Sequence, residues 1–536
     1  NVVILKERCN YLEVSMLSYF TKNGILYAKT QGKSVRVGKS VRKVGQKHIG
    51  RVIDKENNVF YSRERGMFTY DETTDTYGTA GEKYSSELKR DRRKKEKLLL
   101  DFGDVFFLDQ LLKKMGYDKV LESIGYGNSD TLKAMVMYYV ISEKANVHAQ
   151  TWMDGNIARI LYPNANVKSQ RISEFLASLG DERKQQNYFR AHINWLKKNV
   201  CDDPAIIIDS TGLPNDIDTY LKNWSNHNGK ISRETRMTTA VQRDSGYPFL
   251  YRLHPGNIVD TSTLTRTILT LDMYDVKADI ALLDAGYCTS STIDALYDNG
   301  IDFVTRLPER NSTLYREVID KCMPELTKKE NMYSYNGRMM YMKMTEVKIG
   351  TKGHTAYAYL GLDVDRHTDE IHKASRKSGS KKKSIDEMHD IFTNAGLFIL
   401  ISSLPYPSDG ILTTYYTRQL VEQYFDISKG ISRLTPLRGH TEETIYGHLM
   451  LCQIASTINL YIQKQMNEMH DNREELLMSL RNQKCTVYDT RIITSEQQSK
   501  ANEFYRSFDI QCPASFRRKD SELITEYDMK TDSQDE

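Results

Sequence analysis

Two short apolar runs, each ending in an aspartate, restrict most strongly how this chain can fold. In the first, Ala205 and three isoleucines precede Asp209, and Ser-Thr-Gly follows. In the second, residues 280–283 precede Asp284, and Ala-Gly follows. Continuous apolar runs of this length, bounded by small polar residues, are typical of strands buried on both faces of a helix-covered sheet. We therefore predict an α/β fold with both acids at the carboxyl ends of neighbouring strands, where ligands of open sheets bind.

A later segment, TTYYTRQLVEQYFDISKG at residues 413–430, places one acid among three residues of types that commonly bind phosphate. Tyr415, Arg418, Glu422 and Lys429 follow one another at intervals of three, four and seven residues. At about 100° per residue, Tyr415 and Lys429 lie about 20° to either side of Glu422, and Arg418 lies about 40° away. We predict one helix that ends near Gly430 and presents all four side chains from one face.

Each acid also has an ordinary explanation. A lone aspartate at a strand end is usually a turn residue or a helix cap, and Glu422 alone would be a salt-bridged helix residue. One carboxylate cannot hold a divalent metal in an oxygen-rich site, whereas three can. The joint occurrence of Asp209, Asp284 and Glu422 predicts a three-carboxylate metal site.

These residues resemble bacterial insertion-sequence transposases of the DDE type, in the branch of the insertion-sequence-four superfamily marked by Y-(2)-R-(3)-E-(6)-K. Every position of that signature is matched between Tyr415 and Lys429. The sequences around Asp209 and Asp284 resemble the two aspartate blocks of the family. The resemblance covers roughly residues 200–450, and the basic start of the chain resembles the family less specifically.

The resemblance implies a ribonuclease-H-like core, and the residue pattern permits one. Residues 237–243 and 247–253 predict a hairpin with a glycine turn. Apolar spacing predicts a helix over 261–274, a further helix follows Asp284, and a strand is predicted over 301–307. The predicted order is therefore β-β-β-α-β-α-β.

Between that core and the signature helix we predict an inserted β-rich subdomain, because about 100 residues are too many for a plain connection. Residues 338–349 and 354–362 read as strands, and the Lys-, Ser- and Gly-rich residues 372–389 are predicted to form a mobile loop. Residues 396–402 are predicted to be the last buried strand.

The predicted organisation has six parts. They are a basic β-rich segment and linker (1–98), a helical DNA-binding region (99–200), the first part of the catalytic core (201–308), the inserted subdomain (309–394), the second part of the core (395–470), and a C-terminal region with an acidic tail (471–536). The tail from residue 520 is predicted to be disordered.

The net charge of +4 does not by itself indicate nucleic acid, but its distribution does. Residues 29–51 contain no acidic residue and eight basic residues: Lys29, Lys33, Arg36, Lys39, Arg42, Lys43, Lys47 and Arg51. Such a stretch can follow DNA phosphates; the alternative is a solvated basic face. A second basic cluster at residues 92–97 is predicted to be a linker or the start of a helix.

Two further segments could contact DNA. Residues 169–179 could form a recognition helix, although such a helix is more often simply packed. Arg438, His440 and His448, near the start of a long helix predicted over 442–469, could contact DNA or cap that helix.

Cysteine usage and hydropathy indicate the compartment. Seven scattered cysteines without a C-x-x-C pair are typical of reduced thiols rather than disulfides or zinc ligands. No apolar run approaches the ~20 residues that span a bilayer, and there is no signal-peptide pattern. We expect a cytoplasmic, nucleoid-associated protein with no membrane partner.

The expected chemistry is two-metal phosphoryl transfer with Mg²⁺, for which Mn²⁺ can substitute. Asp209 would bridge the two ions, and Asp284 and Glu422 would each complete one. Arg418 and Lys429 would bind phosphates and Tyr415 would donate a hydrogen bond to one; Lys429 could instead stabilise the helix carboxyl end. The partners would be double-stranded DNA, as terminal inverted repeats and as target, and, by resemblance, a second copy of the chain in a synaptic homodimer.

Three functions stay open from the sequence. The first is an active DNA transposase that cleaves transposon ends and joins the 3′-OH to target DNA. The others are a domesticated DNA-binding protein and a structure-specific nuclease on the same fold. Some related transposases form a hairpin in which a flipped base stacks on an inserted tryptophan. This chain has none there, so one of five tyrosines would have to stack: Tyr333, Tyr335, Tyr341, Tyr357 or Tyr359.

Overall fold

The structure is a computed structural model in which the chain divides into two compact units, Asn1–Lys97 and Leu98–Glu536. It describes residues 17–22, 24–37, 40–62, 65–81, 84, 98–200, 205–215, 217–227, 230–258, 260–308, 313–377, 384–437, 439–488, 491–519 and 522–524. Within these residues, no helix has the length and apolar character needed to span a membrane.

The first unit is built from antiparallel strands. Its strands are β1 (Leu17–Lys22), β2 (Ile25–Thr30), β3 (Lys33–Val37), β4 (Ser40–Val44), β5 (His48–Asp54), β6 (Val59–Ser62), β7 (Gly66–Asp71) and β8 (Thr76–Thr79). Six of them form one sheet in the order β1-β2-β5-β6-β7-β8, and β3 pairs with β4 as a hairpin. Ala28, Ile49, Phe60, Phe68 and Tyr70 form its small core. The strand-rich character predicted for this segment is confirmed.

The basic stretch lies partly in this unit's described part. Lys47 forms an ion pair with Asp75, whereas the side chains of residues 33–42 and the cluster at 92–97 lie outside the described residues. Whether the stretch binds phosphate stays a prediction.

The second unit begins with β9 (Leu98–Asp101) and a group of helices. These are α1 (Gly103–Met115), α2 (Asp118–Ser123), α3 (Ser129–Ile141), α4 (Ala149–Gly155), α5 (Ala158–Leu161), α6 (Ser169–Leu179) and α7 (Glu182–Asn199). The predicted helical character is confirmed, since apolar residues at helical spacing are buried, among them Leu108, Met135 and Ile193.

The helix α6 is packed closely against the long helix α15 (Glu442–Glu468). A Cβ atom added to Gly447 would lie 1.9 Å from the carbonyl oxygen of Leu176, and one added to Gly180 would lie 1.8 Å from that of Glu443. Ile172 and Phe175 are also buried. This backbone-to-backbone approach supports the packed interpretation of α6 over that of a recognition helix.

A ten-stranded sheet forms the centre of the second unit. Its strands are β10 (Ile206–Pro214), β11 (Asn223–His227), β12 (Lys230–Gln242), β13 (Pro248–Pro255), β14 (Ile280–Leu283), β15 (Asp302–Arg306), β16 (Met332–Tyr335), β17 (Arg338–Ile349), β18 (His354–Asp363) and β19 (Leu397–Ser402). Their order is β11-β12-β10-β14-β15-β19-β18-β17-β16, with β13 also paired to β12. β10, β14 and β15 are parallel, and the other pairs are antiparallel.

Two helices connect strands of this sheet. α8 (Asp260–Asp272) joins β13 to β14, and α9 (Ser290–Asp298) joins β14 to β15. The elements predicted over 237–307 are therefore present in the predicted order, with β11 as an additional strand that the sequence did not indicate.

The segment after β15 contains the strands predicted over 338–349 and 354–362, and also three helices that were not predicted. It contains α10 (Thr313–Leu326), β16 to β18, α11 (Val364–Lys377) and α12 (Ile385–Asn394). Of the loop predicted over 372–389, residues 372–377 belong to α11 and residues 385–389 to α12, so these parts of the prediction are wrong; residues 378–383 lie outside the described part of the chain. The reason is local: the Oδ1 of Asp363 accepts the backbone N–H of Arg366 and so caps α11, and Arg366 pairs with Glu370 one turn later.

The C-terminal region closes a second sheet. After α15 come α16 (Arg473–Arg481), β20 (Lys484–Val487), β21 (Arg491–Thr494), α17 (Ser499–Ser507), β22 (Ser515–Lys519) and β23 (Glu522–Ile524). The strand order is β23-β22-β21-β20-β9. The tail predicted to be disordered is therefore partly wrong, since β23 pairs with β22; its other residues lie outside the described part of the chain.

Candidate active site

Asp209 lies where β10 separates from β14. Residues 206–208 of β10 pair in parallel with residues 281–283 of β14, and that pairing stops immediately before Asp209. The strand was predicted to end at Asp209, but it continues to Pro214 through antiparallel pairing with β12, in which Asp209 lies opposite Thr239. The acid therefore occupies the end of the parallel pairing rather than the end of the strand.

Asp284 follows the last residue of β14 directly, as predicted. A short 3-10 turn, Ala285–Tyr287, comes next, and Thr305 donates a hydrogen bond of 3.2 Å to the Asp284 carbonyl oxygen from the neighbouring strand. Asp209 and Asp284 thus occupy equivalent places on adjacent parallel strands.

The signature segment is not the single regular helix that its spacing predicts. It consists of α13 (Ser408–Tyr416), a break, α14 (Gln419–Asp426) and a π-helical turn, Ile427–Ile431. Arg418 lies in the break, Glu422 on α14 and Lys429 in the π-helical turn. The predicted stop near Gly430 is correct to one residue. The extra residue of the π turn changes the angular positions from which the common face was calculated.

Arg418 connects the three acids. Its Nη1 donates to Oδ2 of Asp209 at 2.9 Å and lies 3.6 Å from Oδ1 of Asp284, while its Nη2 donates to Oε1 of Glu422 at 3.1 Å. The Arg418 and Asp209 side chains are largely buried, with 18% and 13% exposed, whereas those of Asp284 and Glu422 are 45% and 56% exposed. The structure therefore brings together the three carboxylates on one cation.

The carboxylates are not arranged as a ready metal site. Among the described residues, no group of three or more His, Cys, Asp or Glu side chains is placed to hold a metal ion. The Arg418 guanidinium lies between the acids, where their negative charge converges. The donor set nevertheless fits Mg²⁺ chemically, since Mg²⁺ takes oxygen ligands, usually one or two carboxylates together with water.

The electrostatics of Arg418 and Lys429 differ. Burial lowers the pKa of Arg418, but Asp284 and Asp209 outweigh it and the net pKa is raised. Burial lowers the pKa of Lys429, and Glu234, Asp426 and Asp209 only partly offset this effect. Arg418 therefore stays charged beside the acids, whereas keeping Lys429 charged in the folded protein costs free energy.

Lys429 and Tyr415 complete the signature at the same site. Lys429 Nζ donates to Oγ1 of Thr211, two residues after Asp209 on β10. The Tyr415 ring centre lies 6.0 Å from the Arg418 guanidinium carbon, and burial raises the pKa of Tyr415 to about 12. The phenol thus stays protonated at neutral pH and can donate a hydrogen bond.

A cavity of about 220 Å³ adjoins Glu422 and Arg418. Its lining adds arginines that the sequence reading missed: Arg306 at the end of β15, Arg338 on β17 and Arg366 on α11. Arg338 also contacts Asp363 at 2.9 Å. The position of Arg306 at a strand end next to Asp284 was the available signal; Arg338 and Arg366 had none in the linear sequence.

Aromatic rings line one side of this cavity. Tyr415, Tyr416 and Phe398 face it, and Tyr335 stacks on Tyr416 with ring centres 5.1 Å apart. Of the five tyrosines considered for stacking, Tyr335 is thus next to the cavity. Tyr359 is fully buried and cannot receive a base.

The three basic residues near the start of α15 differ in their surroundings. His448 is partly buried, with Nδ1 2.9 Å from the Tyr139 hydroxyl and Nε2 3.0 Å from the Arg433 carbonyl oxygen. Both ring nitrogens therefore have partners within the protein, and contact of His448 with DNA stays a prediction. His440 is exposed, and Arg438 lies outside the described residues.

Comparisons with known proteins complete the description. No curated protein matches the chain. A cryo-EM structure of the piggyBac transposase synaptic complex with hairpin DNA is similar over 66% of this chain and 70% of its own, with a TM-score of 0.37 and 11% identity. That likeness is too low to carry an argument. Residues 201–458, which include Asp209, Asp284 and Glu422, match the family described as transposase DDE domain, and this match supports a DDE transposase.

Proposed function

We propose that this chain is a DNA transposase of the Y-R-E-K branch, which cleaves transposon ends and joins the freed 3′-OH to target DNA. The observation that carries the proposal is the convergence of Asp209, Asp284 and Glu422 on Arg418 inside the region matched to transposase DDE domains. The central sheet would be a ribonuclease-H-like core, and the protein would act as a cytoplasmic, nucleoid-associated homodimer on paired DNA ends.

Asp209, Asp284 and Glu422 would hold two Mg²⁺ ions, or Mn²⁺. These ions would supply activation of the attacking oxygen and stabilisation of the leaving 3′-oxygen. Asp209 is the most buried of the three acids, and it would hold the cations together with Asp284 and Glu422.

Arg418 would change partners when DNA enters. A guanidinium binds phosphate with two parallel hydrogen bonds, so a DNA phosphate beside Asp209 can take the donors that now go to the carboxylates. The acids are then free to bind cations. Arg418 thereby neutralises the site without DNA and binds phosphate with it.

Lys429 and Tyr415 would bind the same strand. Lys429 would place a second positive charge near the phosphate at which negative charge develops. Tyr415 would donate its hydroxyl hydrogen to a phosphate oxygen, since its raised pKa keeps it protonated.

The arginine-lined cavity would hold the nucleotide next to the scissile phosphate. Arg306, Arg338 and Arg366 supply donors for phosphate, and Tyr416, supported by Tyr335, supplies a ring for stacking. A hairpin route would use this ring surface in place of a tryptophan.

The proposal is tested by cleavage and joining of duplexes taken from the inverted repeats that border the reading frame. Asp209→Asn, Asp284→Asn and Glu422→Gln should each bind the duplex but neither cut nor join it. Asp279→Asn is a matched control, because Asp279 is exposed just before β14, at the far end of that strand from Asp284.

The alternatives separate in the same experiment. Cutting without joining, lost in the three variants, would indicate a structure-specific nuclease. Binding without either reaction by the wild type would indicate a domesticated DNA-binding protein. Asp209, Asp284 and Glu422 are called the triad below. Full activity of any one triad variant would contradict the assignment of the site.

A further inference from the structure

A two-stranded ribbon extends from the central sheet beyond the end of β10. β12 is 13 residues long, but its pairing with β10 begins only at Glu234 and that with β13 at Thr235. Before those points, β12 pairs with β11 alone. Residues 228–229 at the turn lie outside the described part of the chain.

The two faces of this ribbon differ sharply. On one face, Ser225 and Glu234 are each 5% exposed. On the other, Trp224 is 62% and Ile231 69% exposed, and the Arg233 side chain is 46% exposed. By contrast, Trp195 is only 6% exposed. Large apolar side chains grouped on one exposed face mark an interaction surface.

The exposed face continues the face of the sheet that carries Asp209. Trp224 lies opposite Arg233 in the β11–β12 register. Side chains alternate along a strand, so Arg233 shares a face with Thr239 six residues later. Thr239 lies opposite Asp209, and the only irregularity of β12 comes after it, at residues 240–241.

The length of the ribbon sets the spacing to the site. Six residues at about 3.3 Å each place Arg233 and Trp224 about 20 Å from Asp209 along the strand. At about 3.4 Å per nucleotide of one strand, this distance corresponds to roughly six base pairs of duplex.

We propose that this ribbon binds in a groove of duplex DNA, roughly six base pairs from the phosphate held at the triad. The proposal rests on the proposed function. A two-stranded β-ribbon fits the major groove, about 12 Å wide. Trp224 and Ile231 contact base edges or insert at a step, and Arg233 contacts a phosphate.

Charge favours DNA as the occupant. Residues 217–236 contain four basic residues, Lys222, Lys230, Arg233 and Arg236, and two acids, Asp218 and Glu234, of which Glu234 is buried. Arg233 pairs with Asp218 at 3.5 Å, in an exposed contact. Such pairs contribute little to stability, so Arg233 can exchange Asp218 for phosphate readily.

The test uses the full chain and the same inverted-repeat duplexes. DNA should quench tryptophan emission of the wild type, and the quenching should be lost in Trp224→Phe. Trp224→Ala should bind about tenfold more weakly, and Arg233→Ala should lower the slope of log K against log salt by about one. Leu269 is a similarly exposed apolar residue on α8, and Leu269→Ala should change neither the affinity for DNA nor its salt dependence.

The outcomes distinguish this inference from the function on which it rests. If the wild type cuts the duplex through the triad but Trp224→Ala and Arg233→Ala bind it normally, the ribbon inference fails and the function stands. A change of oligomeric state in Trp224→Ala with unaltered DNA binding would make the ribbon a protein interface and overturn the inference. If the wild type does not bind the duplex at all, both the proposed function and the ribbon inference fail.

Discussion

Arg418 donates a 2.9 Å hydrogen bond from Nη1 to Oδ2 of Asp209, a residue 209 positions earlier in the chain. A largely buried carboxylate needs such a partner, because an unpaired buried charge costs several kcal/mol. The same guanidinium also contacts Asp284 and Glu422. In the absence of DNA, the arginine and any divalent cation must therefore compete for the same oxygens.

Arg418→Ala should bind Mn²⁺ more tightly than the wild type when no DNA is present. We expect a gain of about tenfold, because a competing cation has been removed. In the wild type, DNA should tighten Mn²⁺ binding by taking up the guanidinium, and this coupling should disappear in the variant. Isothermal titration calorimetry or Mn²⁺ electron paramagnetic resonance measures both quantities.

A matched control for this measurement is Arg366→Ala. Arg366 lines the same cavity but pairs with Glu370 rather than with the triad. It should leave Mn²⁺ affinity unchanged. Equal affinities of wild type and Arg418→Ala would refute the competition.

Lys429→Met should stabilise the folded protein while impairing DNA cleavage. Burial lowers the pKa of Lys429, so folding disfavours its charged form at neutral pH. The gain should be present below the folded pKa and should shrink as pH rises towards 10.5, where the unfolded lysine also loses its proton. Thermal unfolding at pH 7 and pH 10 measures the gain; a variant less stable than the wild type at pH 7 would contradict it.

Acid should destabilise the protein through His192. This histidine is fully buried, with Nδ1 2.9 Å from the Tyr117 hydroxyl and Nε2 2.7 Å from the Pro248 carbonyl oxygen, and burial lowers its pKa from 6.5 to about 4. Between pH 6.5 and about pH 4, the unfolded chain therefore binds a proton at His192 that the folded chain does not bind. Stability should be complete above pH 6.5 and fall by roughly 3 kcal/mol as pH approaches 4.

Urea unfolding across this range tests the effect of His192. His192→Gln should show a flatter dependence of the free energy of unfolding on pH, whatever its absolute stability. His440→Gln, at an exposed position, should retain the wild-type slope. An unchanged slope in His192→Gln would assign the acid sensitivity to other groups.

Gly212→Ala should disturb the strand that carries Asp209. A Cβ atom there would lie 2.3 Å from Oε2 of Glu234, a carboxylate only 5% exposed. We expect a loss of about 1–3 kcal/mol from overpacking and reduced cleavage. Glu234→Ala should restore most of the stability in the double variant, since it removes the clashing atoms. Additive losses in that double-mutant cycle would exclude the clash as the cause.

Local patterns in the sequence predicted much of the core. The apolar runs before Asp209 and Asp284 and the strands predicted over 237–243, 247–253, 338–349 and 354–362 reflect burial of neighbouring residues, which a sequence records directly. The break between α13 and α14 and the π turn at Lys429 were not predictable in this way. They depend on how α14 meets β10, which is a tertiary contact.

The cavity shows the same limit. Arg306, Arg338 and Arg366 come from two strands and a helix that meet only because β18 and β15 both pair with β19. The intervals between these three arginines in the sequence therefore do not predict that they line one cavity. The contact of Arg418 with Glu422, by contrast, follows from an interval of four residues.

The continuous backbone pairing from β14 through β15 and β19 to β18 and β17 has a mechanical consequence. The backbone of β17 cannot move away from Asp284 without shearing several rows of peptide hydrogen bonds, whereas the Arg338 side chain, 55% exposed, can change its rotamer. The strand that carries Arg338 therefore has a fixed position, and under the proposed function a strand of DNA would have to bend to reach it. Distortion of the nucleic acid, rather than closure of the protein, would bring the reacting phosphate into line.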